Sequence, residues 1–441
     1  MRFFNLGCDP KGEAVPSRLE RSTGGPRDHN QFQRLMRRTG QFVLLVCLLL
    51  LPDFVSGQVS LPSPLSEETR ARVRIGGIQL NPTIALSNAG SDNNVFNSVD
   101  DPQRDFTATV TPAADVWARV GRARIAARGR ADLIYFAKFA SERSVDAGVG
   151  SRLEFPLNRI VPWAEIGTFS GRQRAGYEID QRSRRRQNDF GLGLDVRVAP
   201  KTTVGLGLRR ATTTWDGDAT FLGNSLAIAL DRTQDSTTFA YRQQLTVLTT
   251  LAFDATAATE RFDFSPDRDT DSVGIMVGFD LNTRALISGR VRVGAKKVDP
   301  VGGGFAPFKG VVANALTGYT LRGTTRLELE VARETMFSYD LLYPFFVQTG
   351  AKGTVTQRVS SSWDVQVRIG RQGLAYEAVR GRTDLLRNRI DHVDQRGGGV
   401  GYRFKWTIRV GLNFDWMKRS SLLSARDYGS FRIGAAVTNV R

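Results

Sequence analysis

From residue 75 onward, apolar side chains recur at every second position in runs of about ten residues. The clearest run is 190–209. Phe190, Leu192, Leu194, Val196 and Val198 alternate with Gly191, Gly193, Asp195 and Arg197, and after Pro200-Lys201-Thr202 the pattern resumes in Val204, Leu206 and Leu208. Successive side chains point to opposite faces of a strand, so this stretch predicts a hairpin with one apolar face and one small or polar face. Eighteen such segments can be traced, from 78–86 and 106–116 to 407–418 and 428–437. Tight links such as Val120-Gly121 and Arg322-Gly323-Thr324 alternate with longer polar stretches such as 88–105, 171–188, 215–237 and 377–392.

Alternating short and long connections between strands of this length predict an all-β fold, an antiparallel up-and-down transmembrane barrel of 16–18 strands. Only a closed barrel lets strands cross lipid with every backbone group paired. A soluble β-propeller would show a repeat of roughly 40–50 residues, which is absent. The expected domains are an extension and signal peptide over 1–57, a periplasmic segment over 58–73, and the barrel over 74–441.

The N-terminal reading rests on Arg37-Arg38, the short apolar run Phe42-Val43-Leu44-Leu45-Val46-Cys47 onward to Leu51, and small residues up to Gly57. That is the pattern of a secretory signal, with Met36 as the expected start, cleavage near Gly57 and delivery to a Gram-negative outer membrane. Both cysteines, Cys8 and Cys47, fall before that point, so no disulfide is expected in the mature chain.

Charge sharpens the picture. The chain carries a formal +17, with its arginines spread along strands rather than gathered in a tail, so no nucleic-acid partner is expected. Arg122, Arg124, Arg128 and Arg130 share one parity, opposite Ile125, Leu133 and Tyr135. A charge on the lipid face costs about 2–4 kcal/mol at mid-bilayer, so these arginines should face the lumen. Arg197, Arg209, Arg290, Arg292, Arg368 and Arg409 follow the same logic. They either favour anions in the pore or pair with carboxylates such as Asp132, Asp195, Glu328 and Glu330 and brace the barrel. The tryptophans lie near strand ends, and Trp363 and Trp406 read as members of an interfacial girdle. The 215–237 stretch is the expected constriction.

No enzyme is expected. His392, between Asp391 and Asp394, stands alone without a Gly-x-Ser-x-Gly elbow. No cofactor or metal is expected either, and Asp92, Asp100, Asp101 and Asp105 read as a solvated acidic loop rather than a calcium site. No plug-like domain precedes the barrel in this reading.

Several turns and loops resemble those of outer-membrane porins of the beta-barrel porin 2 type. They are Asp92-Asn93-Asn94-Val95-Phe96, the Leu245-to-Leu251 turn with Arg261-Phe262 beyond it, Arg268-Asp269-Thr270-Asp271-Ser272 with Arg284-Ala285-Leu286-Ile287-Ser288-Gly289, and Phe337-Ser338-Tyr339 with Tyr343. The resemblance spans about residues 74–437 and implies an outer-membrane barrel, sometimes linked to exopolysaccharide export. One departure is the end, Val437-Thr438-Asn439-Val440-Arg441, where barrels usually carry an aromatic residue; it leaves the register of the last strand open. The expected function is a passive or semi-specific channel for small anionic or saccharide solutes. The alternatives are an accessory barrel for exopolysaccharide export, or a structural barrel with a filled lumen. Expected partners are outer-membrane lipid, the barrel assembly machinery, small solutes and, in the alternative, polysaccharide-export proteins.

Overall fold

The computed structural model describes residues 73–282, 285–381, 389–404 and 408–439. The expected signal peptide, Met36, both cysteines, Arg284, Trp406 and nearly all of the 58–73 segment lie outside the described residues.

The alternating segments form eighteen long strands. They are β1 (Ile78–Asp92), β2 (Asp105–Val120), β3 (Ala123–Phe136), β4 (Ser144–Glu154), β5 (Ile160–Gln173), β6 (Ser183–Ala199), β7 (Thr202–Trp215), β8 (Arg232–Gln244) and β9 (Thr249–Phe262). The second half runs through β10 (Thr270–Leu281), β11 (Ile287–Pro300), β12 (Phe308–Leu321), β13 (Thr325–Phe337), β14 (Phe345–Arg358), β15 (Trp363–Glu377), β16 (Ile390–Phe404), β17 (Ile408–Ser420) and β18 (Tyr428–Asn439). Each pairs antiparallel with its sequence neighbours, and β18 pairs with β1, so the sheet closes into a barrel. Connections at one end span two to five residues, against seven to sixteen at the other. By that asymmetry the short turns are periplasmic and the loops extracellular.

The outer face follows the period-two pattern. Val365, Val367 and Ile369 of β15, and Leu412 and Phe414 of β17, point outward and are exposed. Exposed aliphatic rows of this kind are stable only against lipid. Trp363 is outward at the periplasmic end of β15, where a girdle belongs, and packs edge-on against Tyr402.

The closing seam carries the one irregularity in β1. Its register shifts between Ser87 and Gly90, and Asn88 takes a left-handed φ of 52°. A Cβ on Gly90 would lie 2.0 Å from the Ile433 carbonyl oxygen, so only glycine lets β18 approach there.

Strands reach further toward the extracellular side than the alternation suggested. β6 begins at Ser183 and β8 at Arg232, where polar loops were expected up to 188 and 237. Above the lipid a strand can be polar on both faces, so its period disappears from the sequence while its hydrogen bonds continue.

Candidate functional site: a loop folded into the lumen

The expected lumen arginines can now be placed one by one. Arg122 sits exposed in the two-residue turn before β3, not on the strand. Arg124 faces inward, opposite Glu154 of β4. Arg128 meets Asp115 at 2.5 Å and Arg130 meets Asp132 at 3.0 Å. Arg197 is inward near the periplasmic end of β6, and Arg209 reaches Asp189 at 2.6 Å. Arg290 and Arg292 share Asp280, at 3.1 and 2.8 Å, and Arg292 also approaches Asp254 at 3.3 Å. Arg368 meets Asp415 at 2.7 Å, and Arg409 meets Asp364 at 2.7 Å, with Arg403 on the same carboxylate at 2.9 Å. The lumen wall is therefore a lattice of ion pairs rather than a bare positive surface.

Two of the tryptophans near strand ends face the interior. Trp117 is buried and inward on β2. Trp163 of β5 lies on the wall where Gly193 and Gly207 leave room, with the Arg152 guanidinium 4.2 Å above its ring. A Cβ on Gly193 would sit 2.4 Å from that ring, so the glycines at alternate positions of β6 and β7 form the bed on which it lies.

The segment that enters the lumen is 174–182, between β5 and β6. The expected constriction, 215–237, is not the part that crosses. Tyr177 reaches the far wall, where its hydroxyl lies by Gln372 of β15 and Gln395 of β16. Its ring packs with Tyr343, Phe346, Leu374 and Tyr376. Arg419, at the top of β17, donates to the Tyr177 carbonyl at 2.5 Å and to Asp391 at 2.6 Å. Arg426 donates to the Glu178 carbonyl at 2.5 Å and to Asp180 at 3.2 Å. Arg174 donates to the Val95 and Asp180 carbonyls at 2.8 and 2.6 Å. The in-folded loop is thus held from three sides.

Loop 216–231 covers it from above. After a two-residue hairpin, a short helix, Leu226–Leu230, is capped by Ser225, whose hydroxyl accepts from the Ile228 amide. Leu226, Leu230, Phe221 and Trp215 pack against Ile179 and Tyr339 in an apolar core above the lumen. Arg268 ties this cap together through carbonyls, donating to Ala229, Ser338 and Pro344 at 2.6, 2.6 and 2.5 Å. Burial pulls its pKa down to about 10.

At the centre is Glu178. Its carboxylate accepts from the Ser338 hydroxyl at 2.5 Å and from the Tyr339 amide at 3.1 Å. Burial pushes it up to about 7, against the pull of those two donors and of Arg426 and Arg419. A carboxyl that titrates near neutrality at the joint between two loops can couple loop seating to pH.

The 174–182 loop escaped sequence reading because its charge made it look solvated. Its partners, Arg419 and Arg426, lie about 240 residues away along the chain. The one local signal was Tyr177-Glu178-Ile179, an aromatic and an aliphatic residue in an otherwise charged run.

Within the lumen, a cavity of about 570 Å³ is lined by the inward faces of β5 to β13. Its wall includes Trp163, Glu165, Asp195, Arg209, Gln234 and Asp254, with Ser, Thr, Gly and Ala between them. Neither a metal-binding cluster of His, Cys, Asp and Glu nor a helix able to cross a membrane occurs among the described residues.

No protein-family model matches this chain, and no curated protein does. Among solved structures it is similar to the FrpB iron transporter from Neisseria meningitidis, F3-3 variant, with a TM-score of 0.43 and 8% identity over 80% of this chain and 63% of the other. It is similar also to the siderophore receptor PirA from Pseudomonas aeruginosa, with a TM-score of 0.37 and 9% identity over 82% of this chain and 80% of the other. The chain spans less than two thirds of the FrpB chain's length. Eighteen paired strands, a closed sheet and an apolar outer belt make this chain an outer-membrane β-barrel.

Proposed function

We propose that the barrel is a gated, semi-specific channel for small polar solutes, saccharides or small ions, in keeping with its resemblance to porins of the beta-barrel porin 2 type. The observation that carries this reading is the 174–182 loop, folded across an otherwise wide lumen that holds a cavity of about 570 Å³. A barrel of 16–18 strands leaves an aqueous channel unless something enters it. Here the entering segment is held by arginines through hydrogen bonds, not by a covalent link, so it can leave. Because most lumen arginines are matched by carboxylates, the channel discriminates weakly between anions and cations.

The test is single-channel recording in planar bilayers across a salt gradient. The intact chain should give low conductance with a reversal potential near zero. Removal of 175–181, joined by a short Gly-Ser link, should raise conductance several-fold while the barrel remains folded. Equal conductance before and after removal would overturn the channel reading.

A further inference from the structure

The outward-facing cations are sorted by height. In the periplasmic half of the described strands, cations such as Arg124, Arg197, Arg290, Arg326, Arg403 and Arg409 point into the lumen. Toward the extracellular ends, cations turn outward as well. On β7, Val204, Leu206 and Leu208 precede the outward Arg210; on β15, Trp363, Val365, Val367 and Ile369 precede Arg371; on β17, five apolar residues from Ile408 to Trp416 precede Lys418. Each outward residue on a tilted strand adds about 5 Å of membrane depth. The first outward charges therefore stand about 20–25 Å above the periplasmic girdle, at the outer-leaflet headgroups.

Elsewhere at this height several outward cations are paired with carboxylates. Arg210 forms a double hydrogen bond with Asp235, both at 2.7 Å; Arg261 meets Asp271 at 2.7 Å; Lys297 meets Asp299 at 2.7 Å. The face of β11 to β13 also carries an excess, in Lys297, Lys309 and Arg333, but the face of β15 to β17 sets a tryptophan among its cations. Arg371, Asp394 and Lys418 stand in one row across three adjacent strands, and Ile369, Arg396 and Trp416 in the row below. Among the described residues three cations there face one carboxylate, and Asp394 approaches Arg371 at 3.6 Å. The Arg396 guanidinium stands over the Trp416 ring, 5.3 Å from its centre, which holds it at the interface. Apolar Phe414 and Leu412 continue directly below, where acyl chains would lie.

We infer that the outer face of β15 to β17 binds an outer-leaflet lipid whose headgroup carries more than one phosphate. Phosphates would meet Arg371, Arg396 and Lys418, a sugar face would lie on Trp416, and the acyl chains would run down Phe414 and Leu412. Planar guanidinium groups bind phosphate through paired N–H donors, which suits two of the three positions. This inference rests on the barrel and its orientation, not on the channel reading.

The probe is bisphosphorylated lipid A in nanodiscs that are otherwise phosphatidylcholine, with co-purified lipid counted by native mass spectrometry after detergent extraction. The intact barrel should retain lipid A in preference to phosphatidylcholine. Each cation near an anionic headgroup is worth about fivefold, so R371Q/R396Q/K418Q should lose roughly a hundredfold in retention. Folding of the variant is checked by the shift of the unboiled band on a gel. A second measurement needs no variant: the intact barrel should prefer lipid A to its dephosphorylated form. Equal retention of the two lipids would overturn the inference. So would unchanged retention by a folded triple variant, or displacement of lipid A by millimolar inorganic phosphate, which would mark a site for free anions.

Discussion

The two arcs of the lumen wall solve the problem of inward charge in different ways. From β14 to β18 the wall is dense. Asp364, Lys352, Thr354 and Arg368 are buried, and Gly397, Gly399 and Gly401 of β16 leave the space that Arg368, Asp415, Asn413 and Arg409 occupy. From β5 to β13 the wall is lined by small residues around an open cavity, and ion pairs such as Arg242 with Asp254 are only half-buried, although Arg292 beside them is buried. The in-folded loop docks on the dense arc and leaves the other open. Glycine serves both arcs, but on β16 it makes room for a charge lattice, whereas beside Trp163 it makes room for a ring. Glycines therefore differ within an arc as well as between arcs: Gly278 of β10 would clash with the Val291 carbonyl oxygen at 1.8 Å, whereas Gly274 of the same strand has room.

The sharpest way to break the contrast is to fill one glycine on each arc. A Cβ on Gly399 would meet the Leu412 carbonyl oxygen at 2.7 Å, whereas at Gly274 the nearest atom is 3.7 Å away. Gly399→Val should abolish the folded, heat-modifiable band on a gel, and Gly274→Ala should leave it intact. Charge removal comes next. Asp364→Ala strands Arg403 and Arg409 in a buried site and should cost about 3–5 kcal/mol in denaturant unfolding. Asp254→Ala should cost less, because its partners Arg242 and Arg292 both retain Asp280. Equal losses would mean that the arcs do not differ in packing.

A subtler effect separates the loop from the wall it rests on. Glu178 is raised from 4.5 to about 7, so its neutral form favours the seated loop. That contribution is full below its ordinary range and is lost as pH rises through about 7. Conductance should increase across that window by at most about tenfold per pH unit, the limit for one proton. Glu178→Gln should hold the loop seated and flatten the profile. A profile that persists in the variant would assign the pH response to another group. The smallest expected change is at Trp163→Ala, which widens the cavity. It should raise conductance slightly and leave the reversal potential where it was, because no charge is removed.

These contrasts also show what the sequence could tell. Strand number and the inside–outside assignment were legible because lipid imposes a strict period of two wherever a strand crosses it. Arg128, Arg368 and Arg409 could be placed by parity alone. Their partners could not, because Asp115, Asp415 and Asp364 are set by register between strands rather than by spacing within one. The constriction was missed for a related reason. A run such as Arg174 to Arg186 is as polar as a solvated loop, and only the long-range pairing of Asp180 with Arg419 and Arg426 turns it inward. Trp163 was left open because an aromatic near a strand end suits an interface or a lumen equally, until Gly193 and Gly207 are seen beside it.

The acidic stretch at Asp92-Asn93-Asn94 has a consequence for how the barrel closes. Asp92 binds Arg432 at 2.5 Å, the Asn93 side chain accepts from the Phe431 amide at 2.7 Å, and the Asn94 amide donates to the Gly429 carbonyl at 3.1 Å. All three partners belong to β18. During insertion the first and last strands are the two free edges, each offering a row of unpaired backbone groups to any passing chain. The Asp92-Asn93-Asn94 triplet works as a clasp: it recognises β18 by side chains as well as backbone, and it sits just above the bulge that fixes the register. A growing barrel carrying it would tell its own last strand from a neighbour's, and would shut in one register rather than slide among several.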